Sequence, residues 1–337
     1  MSRARPLVLV APRGFWNCPE ARVILERNDL DAFNGYHPKE LILPESQEER
    51  ERIRVIVLGD QRCGAAEMDQ LPNLVLIIRM GTGYDNVDVE TAKKRGIKVA
   101  RMAGVNAEPA SELALAHLLA LIRRAPEKHH RLSLGDWSTR RPTLRLGIAT
   151  VGLVGIGHIN RALARKLCVL DVGTLIGWNR TPRPEVLQAA ADYEIKLCSV
   201  VEEVLTQCNA VVVDLALERG PGGTERFLNA ERLALLKPGA ILINISRGAV
   251  VEETLLPDLV RKGAIGGLGL DVFSEEPPGD LTFFHHLSAL SRAGYNVLLT
   301  PHQGSLAIDT ENRSAVRAAQ DICKVLRGDL EGVELVA

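Results

Sequence analysis

The feature that most constrains the fold is a regular alternation of short apolar runs with longer amphipathic segments. Four apolar runs in the first hundred residues, each bounded by Gly, Pro or charged residues, predict buried strands. They are Leu7–Ala11, Val55–Leu58, Leu74–Ile78 and Ile97–Ala100. Segments of helical period lie between them, and Gly96 is suited to end the one over Asp88–Arg95. Strands and helices in alternation predict a parallel sheet covered by helices.

A second array of the same kind follows a predicted helix over Glu108–Arg124. Its predicted strands are Ile148–Val154, Thr174–Trp178, Ile195–Leu197, Ala210–Ala216, Ala240–Ile245, Gly267–Asp271 and Val297–Thr300. Its predicted helices are Ile159–Leu170, Val200–Gln207, Ala230–Leu236 and Glu252–Arg261. The chain of 337 residues is too long for one ordinary core, so two domains are expected. We expect the last helix, Asp309–Arg327, to pack on the first domain.

Charge and cysteine content exclude several classes of protein. The 41 Lys and Arg residues balance 42 Asp and Glu residues, whereas nucleic-acid and membrane-surface proteins usually carry a basic excess. No apolar stretch approaches the roughly 18 residues of a membrane span. None of the six cysteines forms a C-x-x-C pair, which favours reduced thiols and a cytoplasmic location. No metal site is expected.

A glycine-rich loop lies between an apolar strand and a helix in the second array. Gly155 would allow the tight turn, and Gly157 would let a pyrophosphate approach the backbone at the helix N-terminus. Asn160 stands where this fingerprint usually has Gly or Ala, which predicts wider helix–strand packing or an adjusted helix start. The strand–loop–helix context predicts dinucleotide binding.

The next strand ends in residues that favour a phosphorylated ribose. Enzymes that use NAD usually carry an acidic residue there to bind the ribose hydroxyls. This chain instead has Asn179, Arg180 and Thr181, with Arg183 close behind. Guanidinium groups bind phosphate well, so NADP(H) is favoured over NAD(H). The alternative is a solvent-exposed loop with incidental arginines.

Three further polar segments each close a predicted strand. They are Asn244–Gly248, Gly269–Pro277 and Thr300–His302. The carboxyl ends of strands face the ligand crevice in a doubly wound sheet. Arg247, Glu276 and His302 are therefore expected to meet in one place, although each alone could be an ordinary surface ion pair, loop acid or capping residue.

These motifs, in this order, resemble the D-isomer-specific 2-hydroxyacid dehydrogenase family. The similarity also includes the segment Arg79–Asp85 and the pair Asn106 and Glu112. It implies an α/β fold of two doubly wound parallel-sheet domains, with a Rossmann cofactor domain inserted into a flavodoxin-like substrate domain. The expected boundaries place residues 1–105 and 301–337 in the substrate domain and 106–300 in the cofactor domain. The family also implies a homodimer.

The resemblance implies hydride transfer between a nicotinamide cofactor and C2 of a small 2-oxo or 2-hydroxy acid. Arg247 would clamp the substrate carboxylate, His302 would exchange the proton with the carbonyl oxygen, and Glu276 would orient the imidazole. Cofactor contacts are expected at Gly155, Ile156, Gly157, His158, Ile159, Asn179, Arg180, Thr181, Arg183, Ala216, Ile245, Asp271 and His302. Substrate contacts are expected at Arg79, Gly81, Thr82, Gly83, Arg247 and His302.

Some features and alternatives remain open. His117, on the apolar stripe of a helix, is predicted to be a packed structural histidine. His129, His130, His285 and His286 lie in polar or loop segments and are predicted to be non-catalytic, and the stretch Pro278–Tyr295 has no assigned role. The segment Arg79–Asp88 also resembles the C-terminal-binding protein branch, which would make the chain a dinucleotide-sensing binding protein. Phosphite oxidation on the same scaffold is a further alternative, and formate oxidation is disfavoured because formate enzymes usually have Gln in place of Glu276.

Overall fold

The computed structural model describes residues 4–37, 40–276 and 281–336. Its strands are β1 (Leu7–Val10), β2 (Asp31–Asn34), β3 (Ile53–Leu58), β4 (Leu76–Arg79), β5 (Lys98–Arg101), β6 (Thr150–Val154), β7 (Thr174–Trp178), β8 (Ile195–Leu197), β9 (Ala210–Val213), β10 (Ala240–Asn244), β11 (Ile265–Leu270), β12 (Val297–Leu299) and β13 (Glu334–Leu335). Its α-helices are α1 (Arg13–Trp16), α2 (Pro19–Glu26), α3 (Gln47–Arg52), α4 (Ala65–Asp69), α5 (Val89–Lys94), α6 (Ala107–Ile122), α7 (Ala125–Ser133), α8 (His158–Val169), α9 (Pro184–Asp192), α10 (Val201–Gln207), α11 (Ala230–Ala234), α12 (Leu256–Arg261), α13 (Leu281–Arg292) and α14 (Ile308–Leu326). Short 3-10 turns cover Leu146–Ile148, Gly248–Val250 and Glu253–Leu255.

The chain folds into two compact units. One unit consists of Met1–Asn106 with Leu306–Ala337, and the other consists of Ala107–Ser305. The sequence placed the boundaries after residues 105 and 300, which would have assigned His302 to the first unit instead of the second.

The first unit contains a sheet in the order β13-β5-β4-β3-β1-β2. The neighbouring pairs from β2 to β5 are parallel, in the flavodoxin-like order 2-1-3-4-5. One correction concerns β13, which the sequence did not predict and which pairs antiparallel with β5, so this sheet is not wholly parallel. The apolar face of α14, including Ala315, Ala319 and Ile322, belongs to the core of this unit, as predicted for the last helix.

The second unit contains a wholly parallel sheet in the order β12-β11-β10-β9-β6-β7-β8. Counted from β6, this order is 3-2-1-4-5-6-7, which is the Rossmann order with one added strand. The strand order reverses between β6 and β9, so the carboxyl ends of these two strands flank the point where ligands bind in such sheets. The fold class predicted from the sequence is confirmed.

Both sheets bury side chains on both faces, which explains the nearly continuous apolar runs of their strands. Successive strand residues point to opposite faces, so Val8 and Val10 join one core cluster while Leu7 and Leu9 join another. The second sheet has the same arrangement, with Leu242 on one face and Ile241 on the other.

Several predicted elements differ from those observed. The predicted strand 148–154 begins with a 3-10 turn and is extended only from Thr150, and the predicted strand 210–216 ends at Val213. The four histidines predicted to lie in polar or loop segments lie on α7 and α13. The stretch from Pro278 to Tyr295 contains α13, whereas residues 277–280 lie outside the described residues. The sequence did not predict α7 and α13, because much of the surface of each helix is exposed and their sequences are correspondingly polar.

Candidate active site

The glycine-rich loop joins β6 to α8 and requires glycine at two positions. Gly155 has a φ of +83°, and a Cβ there would lie 2.2 Å from the backbone oxygen of Asp214. A Cβ on Gly157 would lie 2.7 Å from Oδ2 of the same aspartate. The loop therefore lies directly against the end of β9, and the helix begins immediately after it at His158. The amides of the first turn of α8 form the kind of anion cradle that dinucleotide phosphates use, so the residues fit that cofactor.

Asn160, the departure from the glycine fingerprint, braces this loop from inside. Its side chain is fully buried, and Nδ2 donates to the backbone oxygens of Gly155 (2.7 Å) and Val212 (3.2 Å). The sequence predicted wider packing or a shifted helix start. The structure instead shows an amide side chain that ties the glycine turn to β9.

Asp214 lies beneath the N-terminus of α8 and was not identified as a site residue from the sequence. Its Oδ2 accepts a hydrogen bond from the backbone amide of Asn160 at 3.1 Å. Burial raises the pKa of Asp214 to about 6, and the amides of Asn160, Ile159 and Gly157 together with Arg161 offset part of that effect. The Asp214 carboxylate therefore takes up part of the hydrogen-bonding capacity of the first turn of α8.

The polar residues after β7 differ in how many hydrogen bonds their side chains make and in how exposed they are. Asn179 Oδ1 accepts from the Ile156 amide (2.9 Å), and its Nδ2 donates to the Thr181 oxygen (2.6 Å). The Arg180 guanidinium pairs with Glu218 (2.6 Å) and donates to the Gly222 oxygen (3.0 Å). Thr181 and Arg183 are exposed, and Arg183 precedes α9. Asn179 thus supports the glycine loop, while Arg180 is half-exposed beside the loop after β9.

The other expected cofactor residues of this unit follow the carboxyl ends of β6, β9 and β10. Ile156 is buried and Ile159 packs on the core, whereas the His158 ring contacts Arg161 at 3.1 Å. Ala216 follows β9 and accepts the Thr224 hydroxyl at 2.5 Å. Ile245 is buried directly after β10.

Arg247 lies on a short loop after β10 that is fixed by a buried asparagine. Asn244 Nδ2 donates to the Arg247 oxygen (2.8 Å), and Asn244 Oδ1 accepts from the Ser246 amide (3.1 Å) and hydroxyl (2.9 Å). The half-buried Arg247 side chain donates to the Ser246 oxygen at 2.9 Å.

Gly248 brings this loop against the next strand end. A Cβ on Gly248 would lie 2.0 Å from the carbonyl carbon of Phe273 and 2.2 Å from the amide nitrogen of Ser274. Only glycine permits that approach. The Arg247 loop and the segment leading to Glu276 are therefore in contact at one edge of the sheet.

His302 lies in a turn organised by Asp271. The Asp271 carboxylate is buried and accepts from the Thr300 hydroxyl (2.6 Å) and from the amides of Gln303 (3.0 Å) and Gly304 (2.9 Å). His302 donates its own amide to the Asp271 oxygen (2.7 Å) and has a φ of +49°, a left-handed conformation that side-chain-bearing residues rarely adopt. Such strain persists only where the surroundings enforce it.

The His302 ring is paired with Glu276. Nδ1 of the imidazole contacts Glu276 Oε2, and Glu276 Oε1 accepts from the Phe273 amide at 2.6 Å. Both side chains are about one-third exposed. The structure thus joins Glu276 directly to His302 and joins Arg247 to them through the Gly248 contact.

His117 lies behind this turn. Its side chain is buried, Nε2 contacts the Thr300 hydroxyl at 3.3 Å, and burial lowers its pKa while Asp271 opposes the effect. A ring enclosed in this way is consistent with packing and support of Thr300.

The expected substrate residues of the first unit follow β4. Arg79 is nearly buried, pairs with Asp60 (2.7 Å) and donates to the Met80 oxygen (3.1 Å). A Cβ on Gly81 would lie 2.8 Å from the Arg79 guanidinium. The Thr82 hydroxyl donates to Asn106 Oδ1 at 2.8 Å, and Gly83 follows in the same turn.

Two other findings concern the chain as far as it is described. In residues 4–37, 40–276 and 281–336, no three or more His, Cys, Asp or Glu side chains come together in a way that could hold a metal ion. Within those same ranges, no helix is both long and apolar enough to cross a membrane.

A Rossmann-ordered sheet with a glycine loop at its switch point is typical of dinucleotide-binding proteins. The model of the D-isomer specific 2-hydroxyacid dehydrogenase NAD-binding domain matches residues 115–304. Together with the curated relatives described next, this match shows that the chain belongs to that family, as the motifs predicted.

Two curated relatives and one solved structure show the extent of the similarity. The chain is 31% identical to a glyoxylate reductase of Thermococcus onnurineus over 320 residues, which cover 92% of this chain and 90% of the relative. It is 34% identical to the glyoxylate reductase/hydroxypyruvate reductase of Homo sapiens over 261 residues, 76% of this chain and 75% of the relative. An NADPH-dependent glyoxylate/hydroxypyruvate reductase of Sinorhizobium meliloti, solved with NADP and malonate, superimposes with a TM-score of 0.78 at 27% identity, covering 99% of this chain and 97% of that one. The protein is accordingly an NAD(P)-dependent oxidoreductase of small 2-oxo acids.

Sequence reasoning missed Asp214 and the brace formed by Asn160. A signal for Asp214 was available, since a lone carboxylate directly follows the apolar run Ala210–Val213. The predicted strand extended to Ala216 and so covered that residue. The two bonds of the Asn160 amide depend on the spacing between α8 and β9, which no local pattern encodes.

Proposed function

We propose that the protein is an NADPH-preferring reductase of glyoxylate, hydroxypyruvate or a similarly small 2-oxo acid, forming the D-2-hydroxy acid. The observation that carries this proposal is the Glu276–His302 pair, held at the strand ends beside the Arg247 loop. The names of the relatives support the substrate class. Two arginines after β7, in place of an acid, support the cofactor preference.

The proposed roles follow from the chemistry of each side chain. The cofactor supplies hydride to C2 of the substrate when bound. The planar guanidinium of Arg247 binds the substrate carboxylate through paired donors. His302 delivers a proton from Nε2 to the carbonyl oxygen, because Nδ1 is bonded to Glu276. Glu276 fixes the tautomer and the ring orientation of His302.

Other residues are proposed to support these steps. Asp271 holds the 300–304 turn, and we place it beside the cofactor. In the first unit, Arg79 and the turn Gly81–Thr82–Gly83 are proposed to contribute substrate contacts. Backbone amides of such a turn suit a carboxylate.

The test is a parallel assay of NADPH and NADH oxidation with a panel of small 2-oxo acids. We expect turnover with at least one acid and a higher kcat/KM with NADPH. Tight binding of both cofactors without turnover of any acid would favour the binding-protein alternative, and phosphite would then be tested as a reductant.

The residue roles are tested with matched variants. His302→Asn should lower kcat by roughly 100-fold or more, whereas His286→Ala, an exposed histidine of the same unit, should not change it. Arg247→Gln should abolish turnover, and Arg261→Gln, a surface arginine on α12, should be neutral. Cofactor affinity should be retained in all four variants. Wild-type kcat/KM in His302→Asn or Arg247→Gln would contradict the assignment.

We also propose that the protein is a cytoplasmic homodimer. The large apolar side chains of Leu132, Leu134 and Trp137 are between 49% and 72% exposed within six residues of chain, as expected of a surface that another copy covers. All six cysteines are free, which supports a reducing compartment. The molar mass of the wild type and of Trp137→Glu, measured by light scattering, tests the dimer. A wild type with the mass of a monomer would contradict the proposal.

A further inference from the structure

Glu253 is a buried carboxyl group to which the proposed chemistry gives no role. It opens a 3-10 turn after the Arg247 loop, and only 7% of its surface is exposed. Burial raises the pKa of Glu253, hydrogen bonds from Ser274 offset part of that effect, and the nearby charge of Glu276 raises the pKa further. Burying a carboxyl group costs free energy unless hydrogen bonds compensate for the lost hydration.

The contacts of Glu253 lead to the proposed catalytic pair. Oε2 of Glu253 accepts a hydrogen bond from the backbone amide of Ser274 at 3.0 Å. The preceding amide, that of Phe273, donates to Oε1 of Glu276 at 2.6 Å. The successive amides of Phe273 and Ser274 therefore donate to two different carboxyl groups, those of Glu276 and Glu253. Of these two groups, Glu276 is bonded to His302.

Gly248 lies against both the same segment and Glu253. A Cβ on Gly248 would lie 2.4 Å from Oε1 of Glu253, besides its close approaches to Phe273 and Ser274. The segment 273–274, the backbone of Gly248 and the carboxyl group of Glu253 are thus in close mutual contact. Loss of the Glu253 bond would free the Ser274 amide and let the turn that bears Glu276 move.

We infer that Glu253 is a positioning residue, which holds Glu276 against His302 by fixing the Ser274 amide. This inference rests on the proposed function, because it presumes that the Glu276–His302 pair performs the proton transfer. Glu253 touches neither substrate nor cofactor in this scheme and acts only through the 273–276 segment.

The experiment compares Glu253→Ala with Glu252→Ala. Glu252 is the adjacent acid and also accepts from a backbone amide, that of Ala230 at 3.1 Å, but this bond leads to α11 instead of Glu276. Glu253→Ala should lower kcat roughly 10- to 100-fold with little change in KM or cofactor affinity, because small misplacements of catalytic groups are costly. Glu252→Ala should keep kcat within about twofold.

Two further readouts separate positioning from a general loss of structure. Glu253→Gln keeps an acceptor oxygen for the Ser274 amide and should restore most of the activity. Glu253→Asp moves that oxygen away from the Ser274 amide by the length of one methylene group, so this variant should not restore the activity. In Glu253→Ala and Glu253→Asp, the pH at which reduction declines on the alkaline side should move lower, because a looser carboxylate favours the protonated imidazole less. If Glu253→Ala does not fold, the activities of Glu253→Gln and Glu253→Asp are compared instead, and equal activities would contradict the positioning role.

The same series separates failure of this inference from failure of the proposed function. If His302→Asn and Glu276→Gln lose activity while Glu253→Ala retains the wild-type kcat and pH profile, Glu253 has no positioning role and the proposed function stands. If His302→Asn and Glu276→Gln are as active as the wild type, the proposed function itself is wrong and the inference fails with it.

Discussion

Replacing Asp214 by asparagine should stabilise the protein at neutral pH, and this gain should be lost in acid. The pKa of Asp214 is raised from 3.8 to about 6 in the folded protein, mainly by burial. Above pH 6 the carboxylate is charged in both the folded and unfolded states, so the folded state bears the full cost of burying it. Below pH 3.8 the group is neutral in both states and the cost vanishes.

The magnitude follows from the size of the shift. One pKa unit corresponds to about 1.4 kcal/mol, so the change from 3.8 to about 6 corresponds to roughly 3 kcal/mol at neutral pH. Asparagine keeps the size of the side chain and one oxygen for the Asn160 amide, but it loses the second acceptor. We therefore expect the free energy of unfolding to increase by about 1 to 2 kcal/mol in Asp214→Asn at neutral pH.

Urea unfolding between about pH 4 and pH 8 would measure this effect. Trp178 on β7 reports on the unit of Asp214 by fluorescence, and Trp16 on α1 reports on the unit that contains Asp88. Asp88→Asn is the control, because the pKa of the exposed Asp88 is lowered by its hydrogen bonds to Thr91. The stability that Asp88 contributes is present above its usual pKa and is lost as the pH falls, which is the opposite sign. An Asp214→Asn variant less stable than the wild type at neutral pH, or equally stabilised at every pH, would refute the reasoning.

The same substitution should strengthen cofactor binding. The amide that Asp214 accepts from lies in the first turn of α8, and helix N-termini of this kind are where Rossmann sheets generally bind dinucleotide phosphates. A charged carboxylate there opposes a phosphate, so the dissociation constant of NADPH should be lower in Asp214→Asn above about pH 6 and should converge on the wild type in acid. Fluorescence titration with NADPH measures it, and equal affinity at all pH values would contradict the competition.

Three further outcomes are expected. Gly248→Ala should lower turnover at least 100-fold, because its Cβ would lie 2.0 Å from the Phe273 carbonyl carbon; steady-state kinetics that match the wild type would rule out this contact. Asn160→Ala should lower the free energy of unfolding by about 1 to 3 kcal/mol and weaken cofactor binding, since a fully buried amide donor pair is lost; urea unfolding and NADPH titration test both effects. Arg180→Gln should weaken NADPH binding roughly tenfold more than NADH binding, whereas Arg219→Gln, which removes a surface ion pair, should not discriminate; equal losses for the two cofactors would count against a 2′-phosphate contact.

Much of the fold could be predicted from local sequence because its strands are buried on both faces. β9 and β10 are almost purely apolar, and such runs between amphipathic helices indicate parallel strands. Glycine at 155 and 157 predicted the tight turn between β6 and α8 for a similar reason, since a backbone turn has a local sequence signature. Polar helices such as α7 and the antiparallel strand β13 escaped prediction, because exposed helices and two-residue edge strands carry little apolar pattern.

The sequence by itself determined the α/β class, the family and the strand ends that carry Arg247, Glu276 and His302, because each depends on residues close together in the chain. Only the tertiary structure decided which amides Asp214 and Glu253 occupy and that Asn160 ties the glycine turn to β9. These contacts join residues 21 to 54 positions apart. They exist because parallel strands bring distant segments to one edge of a sheet, and the resulting distances depend on packing that no local pattern records.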